Sequence, residues 1–136
     1  MAAGEPALLS TGVPGEAGSD GPEIYERDDD GIRVIGARGS LDLGAAAEFC
    51  ARVDAARMAG TRRLLLDLTQ LRACDASGLR ALIGAAAEVA ASAGRVALVP
   101  PVDGPAARLF ALTGAAEFLP LHPTMAEAQA VLGSSG

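Results

Sequence analysis

Ser77 has the best-defined chemical setting in this chain. It lies in the run Leu64-Leu65-Leu66-Asp67-Leu68-Thr69-Gln70-Leu71-Arg72-Ala73-Cys74-Asp75-Ala76-Ser77-Gly78-Leu79, where a buried-type strand gives way through a short connection to a helix. Asp75 is placed to cap that helix. This puts Ser77 at N2 and Gly78 at N3, in the first turn, where backbone N–H groups lack intrahelical acceptors. The positive end of the helix dipole favours an anion there, so a phosphate on Ser77, adding about −1.5 to −2 charges, would not melt the helix. Its effect would fall on whatever docks at the helix end. The new charge must be desolvated or repelled at an interface, with Asp75 adding to the negative field. A penalty of about 3 kcal/mol weakens binding roughly a hundredfold, enough for a switch.

The other reactive residues offer less. Ser77 also fits a bare helix-start role, because its hydroxyl competes well for backbone donors. Cys74 precedes the same helix start, where a thiolate is favoured, yet a small buried hydrophobe is the better reading. Asp67, at the strand end, suits either a hydrogen bond to the following loop or a partner contact. His122 is the single histidine and has no nearby serine or acid resembling a triad, and Ser77 is not in a G-x-S-x-G elbow, so hydrolase chemistry is unsupported. Gly36 and Gly39 make no dinucleotide fingerprint. Asp28-Asp29-Asp30 lacks the EF-hand spacing and terminal Glu, and reads as a solvated turn. A phosphoaspartate receiver built on Asp67 or Asp75 would need a lysine, and the chain has none.

The elements that must position Ser77 follow from pattern. Asp-Gly at 30–31, between the strand-like runs Glu23 to Arg27 and Ile32 to Arg38, is a hairpin signal, since both residues tolerate positive φ. Asp42 can cap a helix on which Ala46, Phe49, Cys50, Val53 and Ala56 recur at helical spacing, ending near Gly60. Arg62 to Leu68 reads as a strand covered on both faces. Ala76 to Ala93 repeats Leu79, Leu82, Ile83, Ala86 and Val89 on one side, with Arg80, Gly84 and Glu88 on another. Arg95 to Val99 is a further buried strand. Pro105 starts a helix that Gly114 ends, Glu117 to Leu121 is a last short apolar run, and Thr124-Met125-Ala126-Glu127 is a capping box. The expected class is α/β, a mixed sheet packed by helices in the order β-β-α-β-α-β-α-β-α, with the later strands parallel.

Composition bounds what such a domain can bind. The 136 residues suffice for one core; half are hydrophobic but only 3% aromatic, so that core is built from Ala, Leu and Val. All 11 basic residues are Arg and the formal charge is −6, which argues against direct nucleic-acid binding and a polybasic membrane patch. The acidity is local: residues 1–31 hold eight acids and one Arg, whereas residues 32–136 hold nine acids and ten Arg. Residues 1–22 lack sustained periodicity and are expected to be a disordered tail, with 23–132 as the domain and 133–136 as a short C-terminal tail. Cys50 and Cys74 form neither a disulfide framework nor a CxxC motif. With no signal-peptide pattern and no apolar stretch long enough to span a membrane, a cytoplasmic location is expected.

As a set, these segments resemble a known family. Gly39-Ser40-Leu41-Asp42, Leu66-Asp67-Leu68, Asp75-Ala76-Ser77-Gly78-Leu79, Arg95 to Val99, Leu112-Thr113-Gly114 and Phe118-Leu119-Pro120-Leu121 are similar to the STAS domain of bacterial anti-sigma factor antagonists, over about residues 23–132. The resemblance implies partner switching. The unphosphorylated protein binds a serine-kinase anti-sigma factor, the kinase phosphorylates the serine before the glycine, and a PP2C-type phosphatase reverses it. Carried over, Ser77 is the phosphoacceptor, and Asp75, Ala76, Ser77, Gly78, Arg80 and Asp42 form the docking surface. ATP and Mg²⁺ would belong to the kinase, so this chain itself needs no cofactor and is no enzyme. Many members carry a second hydroxyl residue where Ala76 stands, which leaves one acceptor here. STAS domains also serve as stress-complex scaffolds and transport-associated subunits, so the alternative is a non-switching module that binds its partner constitutively.

Overall fold

The computed structural model describes residues 22–92 and 94–133. Its elements are β1 (Glu23–Asp29), β2 (Ile32–Leu41), α1 (Leu43–Met58), β3 (Arg63–Cys74), α2 (Ala76–Ala91), β4 (Arg95–Val99), α3 (Gly104–Thr113), a 3₁₀ turn (Ala115–Glu117) and α4 (Met125–Gly133). The tail expected over 1–22 lies outside the described residues except for Pro22. Of the expected C-terminal tail only Gly133 is described, and it closes α4.

The hairpin forms where the Asp-Gly pair requires it. Asp29 pairs with Ile32, leaving Asp30 (φ 57°) and Gly31 (φ 83°) as a two-residue loop. Positive φ at both central residues matches the right-handed twist of the flanking strands. Beyond this antiparallel pair, β2, β3 and β4 run parallel in the order β1-β2-β3-β4, the mixed α/β sheet expected.

Alternation along the strands separates two cores. Ile35, Ala37, Leu64, Leu66 and Leu98 pack with Phe49 and Val53 of α1, Leu79, Leu82 and Val89 of α2, and Phe110 of α3. Ile32, Val34, Leu65, Ala97 and Val99 face the other way and are covered by Ala128 and Leu132 of α4. Since successive residues of a strand point to opposite faces, the run Leu64-Leu65-Leu66 must be apolar throughout.

Two features depart from expectation. The strand read as Arg62 to Leu68 extends to Cys74. Two register shifts against β2, between Gly36 and Arg38 and between Gly39 and Ser40, disturb the alternation that would have marked its second half. The last expected strand, Glu117 to Leu121, is reduced to a single bridge between Leu98 and Leu121. The Leu98 N–H donates to the Pro120 carbonyl and the His122 N–H to the Leu98 carbonyl, but Pro120 and Pro123 have no N–H to extend the ladder.

Asp67 is the one buried charged side chain among the described residues, 7% exposed. Its Oδ1 accepts from the Thr69 N–H (3.0 Å) and Thr69 Oγ1 (2.7 Å), and its Oδ2 from the Tyr25 hydroxyl across the sheet. Tyr25 reaches it because Gly36, its partner on β2, has no Cβ; one placed there would overlap the Tyr25 ring. Of the two roles open to Asp67, the structure shows the hydrogen bond to the residues that follow it.

Burial, and after it the hydrogen bond and charge of Asp67, push the Tyr25 hydroxyl up from 10.0 to about 12. The folded state thus holds this proton more tightly than the unfolded chain, and the stability it contributes is complete below pH 10 and lost as pH rises toward 12. A Tyr25→Phe variant is expected to be about 1.5 kcal/mol less stable at pH 7, because Asp67 Oδ2 loses its donor. It should also lack the wild-type loss between pH 10 and 12. Denaturant midpoints across that range check both.

Candidate functional site

Parallel pairing of β2 with β3 brings two helix starts together. Leu41 and Cys74 are register partners, so the residues that follow them, Asp42 and Asp75, leave the same sheet edge side by side. Each caps its helix: Asp42 Oδ1 accepts from the Ala45 N–H (2.9 Å), and Asp75 Oδ1 from the Gly78 N–H (2.8 Å). Both have the extended backbone that an N-cap requires. Between them lies a cleft of about 210 Å³ lined by Ser40, Leu41, Asp42, Ala73, Cys74 and Asp75. A second cleft shares Ser40 and Ala73 with it and runs on past Gly39 and Arg72 to Pro105, at the start of α3. The N-termini of three helices therefore ring one edge of the sheet.

Asp42, Asp75, Ala76, Ser77 and Arg80 are all exposed there. Ser77 stands at N2 of α2, as the Asp75 cap requires. Gly78 faces inward instead. A Cβ at this position would overlap the Leu41 carbonyl oxygen and lie 3.3 Å from Cys74 Sγ, so the missing side chain is what lets α2 start against the end of β2. The resemblance placed Gly78 on the docking surface, but it is buried here, and nothing local in the sequence signals the β2 carbonyl that it meets. Tyr25, which braces Asp67 beneath the strand, was legible in principle: a two-residue loop at 30–31 pairs position 25 with position 36.

Cys74 is half-buried, and its thiol is pushed up from 9.0 to about 11, first by burial and then by the Asp75 charge. That outweighs the helix start, which alone would favour a thiolate. With the thiolate roughly a hundredfold scarcer at pH 8 than for a cysteine at 9, alkylation of Cys74 by iodoacetamide is expected to be about a hundredfold slower. Peptide mass mapping over time would show it, with the rate climbing until about pH 11. Among the described residues, no group of three His, Cys, Asp or Glu side chains is arranged to hold a metal ion. No described helix is long and apolar enough to cross a membrane.

Comparison with known proteins is consistent with this geometry. The STAS domain family matches residues 22–128. Comparison with curated protein sequences gave no match. Among solved structures, an anti-sigma factor antagonist from Mycobacterium paratuberculosis is 25% identical, with a TM-score of 0.71 over 85% of this chain and 97% of that one. The Bacillus cell fate determinant SpoIIAA in its phosphorylated form is also 25% identical, with a TM-score of 0.59 over 80% of this chain and 98% of that one. The murine anion transporter Slc26a9 shares the fold at 15% identity and a TM-score of 0.62; 80% of this chain aligns with 19% of the transporter. The family match covers the whole sheet and the helix starts on its edge, and the chain belongs to the STAS domain family.

Proposed function

We propose that this chain is a cytoplasmic anti-sigma factor antagonist that binds a serine-kinase anti-sigma factor by partner switching and is inactivated by phosphorylation of Ser77. The observation that carries the reading is the exposed Ser77 hydroxyl in the first turn of α2, on a sheet edge opened by two adjoining clefts. A kinase can reach it without unfolding anything, and the first turn tolerates the product. Solved antagonists of the same fold, one of them in a phosphorylated form, support the assignment. Asp42, Asp75, Ala76 and Arg80 are the neighbours that a docked partner would touch. The chain contributes a binding surface and one hydroxyl rather than catalysis. ATP and Mg²⁺ belong to the kinase, and a PP2C-type phosphatase restores Ser77.

The test is incubation of the purified chain with the serine-kinase anti-sigma factors of its source and Mg-ATP, followed by intact mass. Wild type is expected to gain one phosphoryl group, transferred from ATP to Ser77 Oγ with release of ADP, and Ser77→Ala to gain none. Should wild type bind a kinase yet stay unmodified with all of them, the edge is a constitutive docking face. The fold shared with a transporter domain makes that second reading concrete.

A further inference from the structure

We propose that Arg80 is the intramolecular ligand of a phosphate on Ser77, closing on it as a clamp when the modification is made. The inference rests on the reading of Ser77 given above and adds a residue to that site. Ser77 and Arg80 are both exposed and stand three positions apart on α2. Residues at that spacing are neighbours on a helix surface, about 5–6 Å apart at Cβ. Helical side chains lean toward the N-terminus, so a guanidinium at position 80 has the turn that carries Ser77 within its reach. An anion placed N-terminal to a cation is also the favourable order along the helix dipole.

The second observation is that Arg80 has no acidic partner among the described residues. The positions one turn away from it are Ala76, Ser77, Ile83 and Gly84, none of them a carboxylate. Among the described residues it takes part in no ion pair, hydrogen bond or ring contact, whereas Arg33, Arg38, Arg52 and Arg57 are all engaged by acids. A guanidinium with no acidic partner among the described residues gains an anion one turn away when the Ser77 hydroxyl is phosphorylated. Guanidinium and phosphate then meet in the forked geometry that makes such pairs specific. Modification would therefore change two things on the docking edge at once, adding the phosphate and removing a free cation.

The clamp is tested on the full chain with phosphoserine installed at position 77 during synthesis, so that no kinase is needed. The second ionisation of the phosphate is followed by ³¹P NMR titration in the wild type, Arg80→Gln and Arg108→Gln. Arg108, exposed on α3, controls for simple loss of a positive charge. The carboxylates of Asp75 and Asp42 and the first-turn dipole also act on the phosphate, but they are common to all three proteins. The clamp predicts that Arg80→Gln raises this pKa by about half a unit while Arg108→Gln leaves it unmoved. Equal pKa values in wild type and Arg80→Gln, or equal shifts in both variants, would overturn it. Failure of the kinases to modify Ser77 is a separate result, striking at the proposed function, and the titration still decides whether Arg80 holds the phosphate.

Discussion

A Gly78→Ala variant is expected to be roughly 2 kcal/mol less stable than wild type, whereas Gly84→Ala, two turns further along the same helix, should be stabilised by about 1 kcal/mol. The contrast isolates packing from propensity. Alanine is the better helix former at both positions, and in α2 a Cβ at Gly84 meets nothing within 4 Å. At Gly78 it meets the Leu41 carbonyl oxygen, a backbone atom that cannot rotate away, and beyond it Cys74 Sγ at 3.3 Å and Asp75 Oδ1 at 3.4 Å. To accept the methyl group, the start of α2 must lift from β2, straining the Asp75 cap and spreading the cleft between Asp42 and Asp75. Urea midpoints of the two variants measure the effect. Equal stabilisation of both would show that the helix start does not depend on close approach to β2. Under the proposed docking at Ser77, partner binding by Gly78→Ala should weaken as well, with Gly84→Ala unaffected.

Under the proposed switch, Ser77→Asp is expected to bind the unmodified protein's kinase partner about a hundredfold more weakly than wild type, with Ser77→Ala close to wild type. The hydroxyl is exposed in the free chain, so the added charge is solvated and folding is little changed. The cost appears only on docking, when the charge is taken out of water next to Asp75, whose carboxylate is already committed to the cap. A penalty of about 3 kcal/mol corresponds to that hundredfold loss. Calorimetric titration of the three proteins with the kinase gives the comparison. Equal affinity for Ser77→Asp and Ser77→Ala would mean that charge at this position does not control docking, and the constitutive reading would take its place.

The parts of this architecture that were legible in the sequence are those decided within a few residues. The Asp30-Gly31 loop, the caps at Asp42 and Asp75, the left-handed Gly114 that ends α3 and the Thr124 hydroxyl that accepts from the Glu127 N–H all stand where their residue types and spacing placed them. Helical spacing likewise identified Phe49, Val53, Leu79, Leu82 and Val89 as core. The misses share a different cause. Thr69, Gln70 and Arg72 look like loop residues, but they belong to β3 because bulges absorb the broken alternation against β2. Glu117 to Leu121 looks like a strand, and prolines on either side of the bridge confine its pairing to one residue.

The candidate site divides along the same line. That a helix begins at Ala76 with Ser77 at N2 was decided by the sequence itself, since a cap needs only a carboxylate three residues before the N–H that it accepts from. What surrounds Ser77 was decided by the tertiary structure. The register of β2 against β3 sets Asp42 beside Asp75, and the close approach of α2 to the Leu41 carbonyl turns Gly78 inward while leaving Ser77 and Arg80 outside. Tyr25 and Asp67, 42 positions apart, meet only because the hairpin lays β1 beside β2 with a glycine under the ring. Such contacts depend on which strands become neighbours and in what register, and both are settled by burial over the whole sheet rather than by any short run of residues.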